Sequence, residues 1–275
     1  MSETALRLLI FVAVFVLVAL CEHAWPRRPR RQTRARRWGI NLGLLGIDIL
    51  AQRLTLGAAA LGMALYAQAQ GWGLFNVQSL PVWLTAVAGF LLLDLAIYLQ
   101  HRLFHVVPLF WRLHLVHHTD LDLDLSSGFR FHPLEILLSL LYKVALVAVL
   151  GISPLVVLVF EATLSAAALF NHANLRLPLR LDAWLRWLLV TPDMHRVHHS
   201  VIPAETNSNY GFFISLWDRL LGSYREQPSA GHQGMTIGLH EYQREDRLGL
   251  MQLVLIPFRA PESEVSNPAR SEDRR

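Results

Sequence analysis

Cysteine is all but missing from this 275-residue chain, where Cys21 stands alone. A single thiol forms no disulfide framework and no thiolate zinc site, so any metal must be held by nitrogen and oxygen donors. Charge is scarce too. Only 17 % of the residues are charged, against about a quarter in a typical soluble domain. Hydrophobic residues reach 53 % and the mean hydropathy is positive, which points away from a soluble protein and towards the bilayer. The net charge of +4 comes mainly from arginines gathered in one place. That is the pattern of a topogenic cluster, and no nucleic-acid partner is expected.

Long apolar runs are what the chain has in quantity. Leu8 to Cys21 is the first. A cleaved signal peptide would carry its basic residues before such a run, whereas here they follow it, so an uncleaved span is expected. Seven arginines then fall between Arg27 and Arg37. The positive-inside rule makes that loop cytoplasmic and puts the N-terminus outside. A second span is expected from Gly39 to Ala67, with Asp48, Gln52 and Arg53 turned towards other helices because charge facing lipid is costly. The Gly-Trp-Gly at 71–73 sits at the outer interface, and a third span runs from Leu80 to Leu99. Leu134 to Phe170 is apolar again, broken by a turn at Gly151–Pro154 into two antiparallel spans. Lys143 interrupts the first of these and must snorkel, pair, or mark a shallower helix. Short interfacial helices are expected at 181–190 and 248–258, and the tail 259–275 is expected to be disordered. Trp111, Trp184, Trp187 and Trp217 read as interface anchors. The expectation is an all-α integral membrane protein of four to five spans. Residues 1–37 form an anchor and arginine loop, and 38–258 a catalytic domain with a helical cap on the cytoplasmic side.

That same side collects the histidines. His101 and His105 end the third span, on the helical face of Asp94 and Tyr98. His114, His117 and His118 follow at i, i+3 and i+4, and His195, His198 and His199 repeat that spacing. Neutral imidazole is a good donor to iron, zinc or copper, and a helix presents two or three of them at once. With His132 and His172 there are ten donors, too many for one ion and about right for two. A metal-bound imidazole usually donates its second N–H to a carboxylate or carbonyl, and Asp94, Tyr98, Glu135 and Asp193 are placed to receive it. Each has a plainer reading, as a helix cap, an intramembrane contact, or histidines resting at headgroup level. A metal transporter with a histidine relay and a non-catalytic, zinc-loaded membrane protein also remain open.

The strings HRLFH at 101–105, HLVHH at 114–118 and HRVHH at 195–199 resemble the three histidine boxes of the fatty acid hydroxylase / sterol desaturase superfamily. FRFHPLE at 129–135, FNHANL at 170–175 and NSNYG at 207–211 are similar as well. The resemblance implies two iron ions held by the eight box histidines and His172, with dioxygen as co-substrate. It implies an O2-dependent enzyme that hydroxylates or desaturates a fatty acyl, sterol-like or alkyl-ether lipid. It also implies an external electron donor, a ferredoxin- or cytochrome-like reductase system. The protein would lie in the cell's inner membrane with its boxes towards the cytoplasm.

Overall fold

Proline and glycine set the helix boundaries. Ser153 caps the helix that Pro154 opens, and the preceding helix ends at Gly151 with φ of 68°, a left-handed conformation that glycine adopts without penalty. The turn Gly151–Ser153 thereby joins two antiparallel helices. A side chain at Gly73 would fall 2.2 Å from the Gly151 nitrogen, so the Gly-Trp-Gly turn packs directly on this hairpin.

The computed structural model describes residues 3–259, with side chains from residue 8. Of the tail expected to be disordered, Arg259 instead ends a helix, and 260–275 lie outside the described residues. The order is α1 Glu3–Ala24, α2 Arg34–Thr55, α3 Ala59–Gln70, a single turn α4 Leu74–Val77, α5 Val82–Val106, α6 Pro108–His118, α7 Pro133–Leu150, α8 Pro154–His172, α9 Leu179–Leu185 and α10 Pro192–His198. A helix also covers Leu250–Arg259, overlapping the 248–258 stretch expected to lie along the membrane. Among the described residues β structure is confined to isolated bridges.

Four segments are long and apolar enough to cross a membrane: Arg34–Val77, Val82–Val106, Pro133–Leu150 and Pro154–His172. At 1.5 Å per residue, α7 and α8 measure about 27–29 Å, close to the hydrocarbon thickness. The described apolar part of α1, Leu8–Ala24, is shorter. The expected uninterrupted helix from Gly39 to Ala67 breaks at Leu56–Ala58, where Gly57 turns left-handed with φ of 55°. The two pieces α2 and α3 both pack along α7. Leu93, Ile97, Leu140, Val147, Val156, Val157 and Phe160 form the core between α5, α7 and α8. Large apolar side chains such as Leu17, Leu50, Val82, Trp83, Val149 and Leu155 face outwards, which suits a lipid surround. Lys143 pairs with Glu161 across the α7–α8 hairpin at 3.4 Å.

Candidate metal centre

Two helix ends and two short helices meet at one pole of this bundle. The end of α5 delivers His101 and His105, α6 carries His114, His117 and His118, the end of α8 brings His172, and α10 supplies His195 and His198 with His199 as its cap. Pro108 and Pro192 open α6 and α10, since proline is best tolerated in a first turn.

The rings sort into two groups. His101, His105, His114, His118 and His198 form one; His117, His172, His195 and His199 form the other. Within each, the donor nitrogens lie within 4.8 Å of one another, and all nine residues are buried. The division cuts across the HxxHH strings. In each HxxHH string the i and i+4 residues join one group and the i+3 residue joins the other. His114 and His118 belong with His198, while His195 and His199 belong with His117. The groups abut where the His118 and His199 rings stack at 4.6 Å.

Hydrogen bonds fix the tautomers. His101 Nδ1 donates to the Tyr210 carbonyl at 2.8 Å, His172 Nδ1 to the Ala168 carbonyl at 2.7 Å and His198 Nδ1 to the Ser208 carbonyl at 2.7 Å. His114 Nδ1 meets Glu135 Oε1 at 2.7 Å, His117 Nδ1 the Arg130 carbonyl at 3.3 Å and His105 Nδ1 the Asn207 side-chain oxygen at 3.3 Å. In a neutral ring, donation from Nδ1 leaves Nε2 with a bare lone pair. Those lone pairs converge: His101 and His114 Nε2 are 3.1 Å apart, as are His117 and His172 Nε2, and His195 Nε2, on a ring whose Nδ1 makes no bond, lies 2.9 Å from His172 Nε2. His105 and His198 Nε2 have no partner at all. Facing acceptors at such distances repel unless a cation lies among them. Burial pushes the His114 imidazole down to about 3 and holds His117, His118, His195, His198 and His199 well below the ordinary range, so protons do not fill that role. The donor set fits metal ions, one per group.

The remaining expected residues are placed differently. Among the described residues, Glu135 is the one carboxylate that bonds a clustered ring. Asp94 instead accepts from the Trp217 indole at 2.8 Å and the Ile214 N–H at 3.2 Å, bracing the chain after NSNYG. Tyr98 bonds Ser223 at 2.7 Å. Asp193 pairs with Arg196 and, at 3.0 Å, with Arg27. His132 stands outside both groups; it caps α7 through Nδ1 and meets the Val254 carbonyl through Nε2. Trp111 is no interface anchor. It is buried beside His105 and His118, with ring centroids 5.0 and 5.4 Å away. Trp217 is held by Asp94, whereas Trp184 and Trp187 are exposed, as anchors would be.

The carbonyls of Tyr210, Ser208, Arg130 and Ala168 carry most of the orienting bonds, and no side-chain pattern marks them in a sequence. The arginine loop is the other surprise. Glu22 is fully buried, holding Arg30 at 3.0 Å, Arg34 at 2.9 Å and the Leu125 N–H at 2.9 Å. Arg37 is buried between Asp120, at 2.7 Å, and Asp124. Burial alone would raise the Asp120 carboxyl, but Arg37 and Arg130 beside it hold it well below the usual range. Beyond any topogenic role, these arginines lace α1 and α2 to the segment that follows the second box.

Glu135→Gln tests the orienting bond. The carboxamide is a weaker acceptor for His114 N–H, and such a loss costs about 10–100-fold in metal affinity. Competition with a chelator should show that weakening with the helix content unchanged.

The model of the fatty acid hydroxylase family matches residues 86–223. The chain is 33 % identical over 166 residues to an ornithine lipid hydroxylase from Rhizobium tropici, covering 57 % of this chain and 47 % of that protein. It is 26 % identical over 242 residues to an alkylglycerol monooxygenase from Xenopus tropicalis, covering 85 % and 50 %. It is 33 % identical over 138 residues to a sterol desaturase from Saccharomyces cerevisiae, covering 48 % and 33 %. The chain thus spans half or less of the length of these relatives. No solved structure matches it.

Proposed function

This chain belongs to the fatty acid hydroxylase family, and from that premise we propose that it is a membrane-bound diiron oxygenase that hydroxylates or desaturates a lipid C–H bond. One observation carries the reading: the histidines and the lipid-sized space are the same place. A cavity of about 700 Å³ is lined at one end by His101, His114, His117 and His195 and elsewhere by Phe11, Leu45, Leu140, Leu158 and Leu169. That volume lies in the range of small-molecule sites, and its walls suit an acyl or alkyl chain.

Two irons, when bound, supply the reductive activation of dioxygen that an unactivated C–H bond requires. Each residue then has a defined task. His101, His105, His114, His118 and His198 hold one ion through their free ring nitrogens, and His117, His172, His195 and His199 hold the other. Glu135 keeps the proton of His114 on Nδ1, leaving Nε2 free to bind. Phe131 lies flat on the His117 ring at 4.4 Å and 8°, and Trp111 covers His105 and His118; both keep water from the donors. The apolar walls align one carbon of the lipid against this pole.

Electrons come from a separate ferredoxin- or cytochrome-like donor in this reading. Residues 38–258 form the catalytic domain, and the arginine loop sets the pole towards the cytoplasm of the inner membrane. The clusters lie at the ends of α5 and α8, not midway along them, which disfavours a histidine relay across the bilayer.

Lipid profiling under isotopically labelled dioxygen tests the reaction. Cells making the protein should accumulate a lipid that gains one labelled oxygen or loses two hydrogens. A His198→Ala strain should not. Identical lipid profiles in both strains would overturn the proposal.

A further inference from the structure

Asp48 is the one carboxylate in the cavity wall with no task in the fold or at the histidines. It lies on α2, is 4 % exposed and lines the same cavity as His101 and His114. Its Oδ1 has no hydrogen-bond partner. Other polar groups of that wall have partners: Gln100 donates to Ser139 at 2.5 Å, Lys143 pairs with Glu161, and Glu135 holds His114 through Oε1, its Oε2 alone being unpartnered.

An unpartnered carboxyl in a membrane span is expensive, and a leucine there would stabilise the bundle. Its presence is accounted for if the occupant of the cavity brings the missing partner. A carboxyl keeps an acceptor oxygen in either protonation state, so that partner is a donor. We propose that Asp48 selects the substrate by accepting a hydrogen bond from an O–H or N–H of the lipid. This inference rests on the cavity being the lipid site. It narrows the substrate class to lipids that carry a free hydroxyl or amine, over analogues in which that group is capped. Gln52 lines the cavity one turn further along α2 and adds amide donor and acceptor capacity on the same side.

Binding to the iron-loaded full chain, followed by tryptophan fluorescence, separates the possibilities. The hydroxyl arm compares 1-O-hexadecylglycerol with its dimethyl ether. The amine arm compares hexadecylamine with hexadecyltrimethylammonium. The wild type should favour the donor-bearing member of at least one pair by about tenfold, equivalent to about 1.4 kcal/mol, and the responding arm identifies the group. Asp48→Leu should abolish that preference by weakening the donor-bearing probe alone, with iron content unchanged and thermal stability equal or higher. Asp48→Asn, which keeps an acceptor oxygen, should retain part of it. A preference that survives in Asp48→Leu would overturn the inference. So would equal binding of both members of each pair by the wild type, which leaves the lipid site itself standing. If none of the four probes binds the wild type, the lipid-site reading falls and this inference falls with it.

Discussion

Replacing His172 by alanine should cost the protein one of the two metals proposed for it and essentially all of the proposed activity. The group formed with His117, His195 and His199 has four members, whereas its neighbour has five. Removing one leaves three nitrogens in the smaller group and four in the larger after an equivalent change such as His105→Ala. His172 also stands at the centre of its group, with Nε2 at 2.9 Å from His195 and 3.1 Å from His117. Losing an orienting partner alone costs about 10–100-fold in metal affinity, and losing a ligand costs more. Iron in purified His172→Ala should therefore fall from about two to about one per chain, with oxygen consumption at background. His105→Ala should retain more metal. A His172→Ala protein with full iron would remove this residue from the ligand set.

The second large effect concerns a residue that touches no histidine of the clusters. Arg37 is 1 % exposed and bonds Asp120, Asp124, Ser127 and the Asp122 carbonyl. Arg37→Leu leaves Asp124 without its paired cation and Asp120 with only Arg130 nearby, and breaking a buried pair in this way costs about 3–5 kcal/mol. The segment so released runs directly from His118 to the 3-10 turn Leu125–Phe129, which packs on α8 beside the cavity. The expected result is a sharp fall in thermal midpoint in detergent and a poor yield of folded protein. Arg36→Leu is the control. Arg36 is exposed and bonds only a backbone carbonyl, so its loss should stay within about 0.5 kcal/mol. Equal stability of the two variants would contradict the structural role given to the loop.

Much of this was legible because the determining patterns are local. Apolar run lengths located the spans, and the i, i+3, i+4 spacing grouped three imidazoles in each HxxHH box. What spacing could not reveal was the division of each HxxHH box between two groups, since that depends on how α6 and α10 are placed relative to one another. The break at Gly57 was hidden because a lone glycine within an apolar run reads equally as a tolerated helix residue. Trp111 was misplaced because an aromatic at a span end resembles an interface anchor until the neighbouring histidines are seen around it. The arginines were read by sign alone; their partners Glu22, Asp120 and Asp124 lie up to 87 positions away. Asp94 and Asp193 had the right chemistry to orient a ring, but indole and guanidinium partners claimed them, and backbone carbonyls took their place.

Metal analysis of the purified full chain with Mössbauer spectroscopy bears most directly on the paired-ion claim. About two irons per chain in nitrogen-rich surroundings, magnetically coupled when oxidised, are expected. His117→Ala combined with His198→Ala, which removes one donor from each group, should lose both. A single zinc in the wild type, or undiminished iron in that double variant, would contradict the account.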